Sequence, residues 1–159
     1  MNQLGFPMLS LIALLPLLGA IALLFVGKER HATVRRLSLG VALVDLLLTL
    51  VVVLTYRVGT AGVQFLEEVR WIPQLGIEYH LGVDGISLYL LPLTALLFVV
   101  AVILSWRPVG STDVARASVR SYFFWLLVLE TGVLGVFVAL DLVLFFVFWE
   151  AMLVPPYFL

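Results

Sequence analysis

The sequence GVFVALDLVLFFVFWEAMLVPPYFL, residues 135–159, contains two apolar segments that are separated only by Leu140 and Asp141. Because a turn this short joins elements that lie side by side, it predicts two antiparallel helices in a tight hairpin. Asp141 is expected to cap the second helix, since aspartate is favoured at the N-cap and suits the positive end of the helix dipole. The second helix contains one acid, Glu150, in a wholly apolar setting.

The composition of the whole chain is that of an integral membrane protein. Of its 159 residues 64% are hydrophobic and 12% are charged, and the mean hydropathy is +1.20; soluble domains carry about 25% charged residues. The net charge of −1 gives no electrostatic basis for binding nucleic acid. The sequence has no cysteine, which excludes disulfides, iron–sulfur clusters and thiolate metal sites. His31 and His80 lie in polar stretches and are interpreted as solvated loop residues, so no metal site is expected.

A helix that crosses the hydrocarbon core needs about 20 apolar residues. The chain has five such segments, which are Leu4–Val26, Leu37–Tyr56, Ile86–Trp106, Ser121–Leu140 and Leu142–Leu159. Since every backbone polar group in lipid must be hydrogen-bonded within the protein, and the alternating pattern of barrel strands is absent, each is predicted to be a helix. The expected fold is therefore an all-α integral membrane protein with five transmembrane helices, three in residues 1–120 and two in residues 121–159.

The distribution of lysine and arginine among the connecting segments predicts the orientation. Residues 27–36 carry four such residues and residues 107–120 carry three, whereas residues 57–85 carry two against four acids. Because cytoplasmic loops hold the excess of positive charge, the first and third connections are expected in the cytoplasm and the N-terminus outside. Residues 57–85 contain EEVRWIP and IEYHLGV around a QLG turn, with apolar residues at period two. This pattern predicts a small hairpin on the outer side.

Three acids fall within the predicted spans, where each costs about 2.5–3.5 kcal/mol on insertion scales. They are Asp45, Glu130 and Glu150. Glu130 lies ten residues before Leu140 and Glu150 nine after Asp141. Both are therefore roughly 14–15 Å from the turn, near the middle of the membrane. Two acids at one buried depth cannot both be ionised without a cation, so at least one is expected to bind and release a proton. The sequence leaves open whether the two glutamates face each other.

Each of these acids also has a structural interpretation. Pro155 and Pro156 remove two helical donors, so they are expected to break the helix and expose carbonyls one turn after Glu150. A protonated Glu150 could bond such a carbonyl, but a glutamate beside a helix break is typical of an ion pathway, and a proton relay is the favoured role. Glu130 is a candidate second relay, while Asp45 is interpreted as a polar contact between helices.

Two stretches carry a resemblance to a known family. They are YHLGVDGISLYLLPLTALL, residues 79–97, and the opening stretch, residues 135–159. Together they resemble the chain M family, the antiporter-like membrane subunits of proton-translocating NADH:quinone oxidoreductase, respiratory complex I. The LGVDGIS segment is shared with multisubunit cation/proton antiporters, whereas FWEAMLVPPYFL is more specific to chain M. Family members often read VPMYFL, so Pro156 departs from the family pattern at the break.

The resemblance implies a larger fold. The chain would be about the first third of an antiporter-like protein of about fourteen helices, with residues 121–159 as the first two helices of its first proton-translocating repeat. Glu150 matches the family's glutamate on the fifth helix, which is thought to pair with a lysine on the seventh helix, outside this sequence. Asp84 matches the aspartate of the family's GVDG segment, where a helix cap and a proton role both remain open. The position of Glu130 varies in the family, so no role is carried over to it.

The function implied is that of a membrane-arm subunit that translocates protons while electron transfer takes place on other subunits. NADH, flavin, iron–sulfur clusters and quinone are then expected on partner subunits, with no cofactor on this chain. The expected partners are the other membrane subunits and the lipid bilayer, with the quinone pool reached only indirectly. The expected location is a bacterial plasma membrane or an energy-transducing organelle membrane. The alternatives are a subunit of a cation/proton antiporter, a membrane arm of a hydrogenase-type complex, and a truncated product without function.

Overall fold

A computed structural model describes residues 6–27, 29–59, 62–106 and 119–159. The helices are α1 (Met8–Leu24), α2 (His31–Thr55), α3 (Ser87–Leu104), α4 (Val119–Val138), α5 (Leu142–Leu153) and the single turn α6 (Pro155–Phe158). The strands β1 (Gln64–Ile72) and β2 (Ile77–Val83) lie between α2 and α3. Leu4, with which the first apolar segment was expected to begin, and the loop bases Lys28, Arg107 and Arg116 lie outside the described residues.

The apolar segments predicted from the sequence all contain helix. By length and composition α2, α3 and α4 could each cross a membrane, whereas α1 and the stretch Leu142–Phe158 are shorter apolar helices. The last segment is not one regular helix, because α5 ends at Leu153 and α6 begins at Pro155. Val154 between them keeps helical dihedral angles, φ −69° and ψ −47°. The prolines therefore interrupt the hydrogen bonds of the helix without turning the chain away from it.

The helices form a bundle in which α4 is central. It packs against α1, α2, α3 and α5, while α1 also packs on α2 and α2 on α3. The buried apolar side chains form two clusters. The hairpin-end cluster includes Leu9, Ile12, Val52, Phe65, Leu81, Leu134 and Phe148. The opposite-end cluster includes Ala20, Leu23, Val34, Val102, Phe123 and Leu127. Together they hold the four long helices against each other along most of their length.

The strands β1 and β2 pair antiparallel and form the hairpin predicted from the sequence. A 3-10 turn ends at Gly76, whose φ of 66° is a conformation that glycine adopts without a steric penalty. The register slips near the start of β1, where Phe65 has a φ of 56° and a fully buried side chain. Phe65 and Glu67 are both buried, whereas the residues that follow are exposed. This irregular stretch is therefore the part of β1 that contacts the helices.

Glu67 bonds the hairpin to the first turn of α1. Its carboxylate accepts hydrogen bonds from the backbone amide of Leu9 at 2.7 Å and from that of Ser10 at 3.0 Å. The Ser10 hydroxyl is 2.5 Å from the same carboxylate and 2.9 Å from the hydroxyl of Tyr79 on β2. A helix N-terminus has unpaired amides and a positive dipole end, so the carboxylate takes the place of a local cap.

The second strand is bonded to the turn between α4 and α5. Leu81 of β2 forms an antiparallel bridge with Ala139, and the Leu140 amide donates to the His80 carbonyl at 2.9 Å. The start of α1, the hairpin and the α4–α5 turn therefore lie at one end of the bundle. At the other end, the Arg120 guanidinium donates to two carbonyls at the end of α1, at 3.1 and 3.3 Å.

Two aspartates occupy capping positions at the hairpin end. Asp141 is the N-cap of α5 and accepts from two backbone amides of its first turn, at 2.8 and 3.0 Å. Asp84 accepts from the amides of Ile86 at 3.0 Å and Ser87 at 2.7 Å, and the Ser87 hydroxyl accepts from the Asp84 amide at 3.0 Å. This reciprocal pattern is a capping box at the start of α3. The hydrogen bond from the Ser87 amide is the main cause that lowers the pKa of the Asp84 carboxyl. The hydrogen bond from the Leu144 amide is the main cause that lowers the pKa of the Asp141 carboxyl.

Candidate functional site

Glu150 lies on the face of α5 that points away from α4. The residues that are buried against the bundle are Leu144, Phe148 and Pro155. Since successive residues are about 100° apart around a helix, Glu150 is roughly 200° from Phe148. It is exposed, and its exposed neighbours on α5 are the apolar side chains of Phe146, Val147 and Leu153.

Glu130 and Glu150 are not brought together. Helix α4 approaches α5 through Gly132 and Gly135, and Glu130 precedes Gly132 by two residues, which places it on the opposite face of α4. Glu130 is fully buried, on the side where α1, α2 and α3 pack. The α4–α5 pair therefore has one glutamate on each side, and the question left open by the sequence is settled by helix rotation.

The approach of α5 to α4 depends on these glycines. A Cβ on Gly132 would lie 2.9 Å from both the backbone nitrogen and the Cα of Met152. A Cβ on Gly135 would overlap the ring of Phe148. Small residues that allow backbones to approach are a feature of helix pairs in membranes. This close contact fixes the rotation of α5 and with it the outward direction of Glu150.

Asp45, on the neighbouring helix α2, is the acid whose charge influences Glu130. Both side chains are 0% exposed, and their carboxyls interact electrostatically between α2 and α4. All four carboxyl oxygens are buried without a hydrogen-bond partner among the described residues. The buried Thr131 hydroxyl also has no hydrogen-bond partner among the described residues. Asp45 is buried between helices, but the polar contact expected for it is not seen, since neither of its oxygens has a hydrogen-bond partner among the described residues.

His31 and His80 lie far apart. His31 begins α2 at one end of the bundle, and His80 is in the hairpin at the other. The 25 residues of α2 span roughly 37 Å between these ends, so the two histidines cannot share a ligand. Within the described ranges no group of three His, Cys, Asp or Glu could hold a metal ion.

The sequence reasoning missed two features of this region. It did not pair Asp45 with Glu130, because residues on different helices meet only through packing. It also did not identify Glu67 as a buried group that holds the start of α1. A signal was present there: side chains two apart in a strand share a face, and Glu67 follows the aromatic Phe65 by two residues.

The arrangement defines a class before any comparison. Apolar helices long enough to span a bilayer, with carboxyls at mid-height both inside the bundle and on its surface, indicate a multi-pass membrane protein with ionisable groups in its spans. No family model matches the chain. The chain does match known proteins and solved structures, and these matches indicate which kind of membrane protein it resembles.

The matching proteins include chains of quinone oxidoreductases and a subunit of a dehydrogenase. The chain is 38% identical over 160 residues to NAD(P)H-quinone oxidoreductase chain 4 1 of Nostoc sp., covering 100% of this chain and 28% of that protein. It is 36% identical over 149 residues to NADH-ubiquinone oxidoreductase chain 4 of Arabidopsis thaliana, covering 94% and 29%. It is 37% identical over 153 residues to F(420)H(2) dehydrogenase subunit M of Methanosarcina mazei, covering 96% and 29%.

A solved structure of respiratory complex I contains a chain with a similar fold. A chain in the structure of respiratory complex I from Thermus thermophilus with bound NADH superposes with a TM-score of 0.70 at 28% identity, covering 92% of this chain and 27% of that one. The chain is homologous to an N-terminal region of the chain 4 subunits, and the resemblance to the chain M family is confirmed. It spans less than a third of the length of these curated relatives.

Proposed function

We propose that the chain is part of a membrane-arm subunit of a proton-translocating NADH:quinone oxidoreductase, in which Glu150 relays protons. The names of the relatives support the complex. The observation that carries the role of Glu150 is its position, a carboxyl on an apolar face of α5, nine residues after the turn that bounds the helix. Roughly 14 Å from that turn, it lies at mid-membrane depth.

A carboxyl at this depth is not stable against lipid. An ionised acid at the centre of a span costs several kcal/mol, and intramembrane acids almost always face other protein or a water-filled cavity. The outer face of α5 is therefore where further protein packs, either the rest of the subunit or a neighbouring one. A basic side chain from that protein would pair with Glu150, and its approach or withdrawal would control when the carboxyl takes and releases its proton.

The helix break supports a polar path at the same place. Because Pro155 and Pro156 cannot donate, the carbonyls of Ala151 and Met152 lack their usual helical partners. They follow Glu150 within one turn, toward the end of the bundle that carries Arg120. Free carbonyls beside an ionisable group are how transporters line an ion path within a span.

The proposal includes a topology. Five helices cross the membrane, the hairpin end of the bundle with the N-terminus lies outside, and residues 121–159 begin a proton-translocating repeat. The placement of the hairpin, the α1 start and the α4–α5 turn at one end agrees with this alternation. Since the chain has no cysteine, single cysteines at Val58 and Gly27, both exposed and at opposite ends, give a matched pair for labelling by an impermeant maleimide. Labelling of Gly27→Cys and not Val58→Cys from the outside would contradict the orientation.

The wider assignments follow from the same complex. NADH, flavin, iron–sulfur clusters and quinone belong to partner subunits, and the complex resides in an energy-transducing membrane. The likeness to F(420)H(2) dehydrogenase subunit M favours one alternative, in which the electrons come from a donor other than NADH. Membranes that contain the assembled complex distinguish the two by whether NADH alone drives quinone reduction.

The test of the proton relay uses the full-length subunit in its assembled complex. Glu150→Ala is expected to abolish most proton pumping while the complex still assembles, and Glu150→Asp is expected to keep part of it, because a carboxyl remains. Glu68→Ala is the control, since Glu68 is an exposed acid of the hairpin. Pumping in inside-out vesicles is measured by quenching of a pH-sensitive dye, alongside the rate of electron transfer. Wild-type pumping by Glu150→Ala at normal assembly would contradict the proposed role.

A further inference from the structure

The Asp45–Glu130 pair occupies a distinct layer of the bundle. On α2, Leu48 and Val52 belong to the hairpin-end cluster, and Val34 and Val41 belong to the opposite-end cluster. Asp45 lies between these two pairs of residues. On α4 the corresponding neighbours are Leu134 on one side and Val128 on the other, with Glu130 between them. The two acids thus replace apolar packing at one level, near the middle of both helices.

Other buried polar side chains accompany each acid on its own helix. Thr49 follows Asp45 by one turn of α2, and its hydroxyl donates to the Leu46 carbonyl at 2.8 Å. Thr131 follows Glu130 directly on α4 and is 6% exposed. The acids are therefore not isolated polar substitutions on these two helices.

No described base reaches the pair. Helix α1 has no charged residue, and α3 has none beyond the phenol of the exposed Tyr89. The bases of α2 and α4 lie near the helix starts, where Arg36 precedes Asp45 by nine residues and Arg120 precedes Glu130 by ten. These separations are roughly 14–15 Å along the helix axes. The two buried carboxyls consequently have no compensating side-chain charge in the described part of the bundle.

Two ionised carboxylates in this setting are not stable. Each would lose its hydration without gaining a hydrogen bond, and their mutual repulsion is strong where the local dielectric is low. The stable forms are those in which protons neutralise the pair. When one proton leaves, the negative charge that remains makes the other carboxyl hold its proton more tightly, so the two groups titrate in coupled steps.

We propose that Asp45 and Glu130 form a proton-binding site inside the N-terminal bundle, separated from Glu150 by α4. The site is a pair of carboxyls whose uptake and release of protons are coupled. It lies on the opposite side of α4 from the face where Glu150 meets further protein. The inference rests on the burial and lack of partners of these side chains, and it stands whether or not Glu150 relays protons.

Infrared difference spectroscopy tests this site in the full-length subunit within its complete complex, reconstituted in liposomes. Wild-type protein at neutral pH is expected to show protonated carboxylic acid bands that shift in D₂O. Asp45→Asn and Glu130→Gln should each remove the contribution of one carboxyl, and the double variant should remove both. Labelling with ¹³C-aspartate or ¹³C-glutamate in the wild type assigns the bands to residue type without a substitution. Glu68→Gln is the control and should leave the bands unchanged.

A separate measurement tests whether the two carboxyls titrate together. Removing one carboxyl is expected to move the titration midpoint of the other by more than about one pH unit, whereas unpaired groups would titrate as before. Glu150→Gln should leave the midpoints of both unchanged, which separates this site from the proposed relay. Three results would overturn the proposal: only carboxylate bands at neutral pH, independent titration in the single variants, or loss of the acid bands on adding sodium or potassium ions. The last result would identify a metal-cation site in place of a proton site.

Discussion

Replacing Glu67 by glutamine tests how much the hairpin stabilises the bundle. The substitution keeps the size of the side chain but leaves one acceptor oxygen where the carboxylate has two. The amide N–H bonds then point toward Ser10, so the Ser10 backbone amide loses its acceptor and the Ser10 hydroxyl can no longer donate to residue 67. A hydrogen bond to a charged group contributes about 1.5–3 kcal/mol, and losing the negative charge at the helix start removes ~0.3–1 kcal/mol. Because the two bonds to one oxygen are not additive, we expect a loss of about 3 kcal/mol.

The measurement is thermal unfolding of the protein in detergent, with two variants for comparison. Ser10→Ala removes only the hydroxyl and keeps both amide bonds to Glu67, so it should cost about 1 kcal/mol. Glu68→Gln changes the neighbouring exposed acid and should stay within about 0.5 kcal/mol of the wild type. The expected order of stability loss is Glu67→Gln, then Ser10→Ala, then Glu68→Gln. Equal midpoints for the Glu67 and Glu68 variants would refute the reasoning, since the carboxylate would then not hold α1.

Gly132→Ala is expected to destabilise the α4–α5 hairpin by about 1–3 kcal/mol through overpacking, because the rigid backbone of Met152 cannot move aside. Its matched control is Gly40→Ala in α2, where nothing lies within 4 Å and higher helix propensity should stabilise by up to ~1 kcal/mol; the two unfolding midpoints should move in opposite directions, and a shift in the same direction would contradict the packing account. The hydrogen bonds that lower the pKa of Asp84, from the Ser87 amide first, predict a stability contribution that is present above its ordinary value of 3.8 and lost as the pH falls through the lower folded-state pKa. Asp84→Asn, which keeps an acceptor without the charge, should weaken that acid-limb dependence of the unfolding midpoint, and an unchanged acid limb would argue against the cap.

A second effect of pH on stability is expected on the alkaline side, through Tyr79 of the hairpin. Burial, the largest cause, raises the pKa of the Tyr79 phenol above its ordinary value of 10.0. The folded state therefore retains this proton when the unfolded chain loses it, and the stabilisation is present at neutral pH and lost as the pH rises through the folded-state pKa. Ultraviolet absorbance should show delayed tyrosinate formation that Tyr79→Phe removes; identical alkaline titrations of the two proteins would contradict the burial.

The features of the fold that depend on residues close in the chain could be predicted from the sequence, whereas the contacts between helices could not. Hydropathy indicated the apolar segments, period-two alternation indicated the hairpin, and the Leu140–Asp141 turn indicated the antiparallel pair, because each depends on residues close in the chain. The depth of Glu130 and Glu150 followed from the helical rise, but their facing depends on rotation about the helix axis. That rotation is set by the contact of Gly132 with Met152, which no local pattern reports.

The same limit applies to the candidate site. The cost of an acid in a span drew attention to Asp45, Glu130 and Glu150, since that cost depends on the residue and its depth alone. The pairing of Asp45 with Glu130 required α2 and α4 to be neighbours, and the choice of neighbours is a property of the assembled bundle. The outward direction of Glu150 likewise became visible only when Leu144 and Phe148 were seen to be covered by α4.

Both ends of α5 are held by the rest of the bundle. The Leu140 amide and the Ala139 bridge join its first residues to the hairpin, and its last turn lies against α4 where Met152 meets Gly132. A force applied by protein on the outer face of α5 would therefore be transmitted to the hairpin and to α4. Because Glu150 is two residues from Met152, movement of its carboxyl would be coupled to movement of the helix that carries Glu130 on its other side.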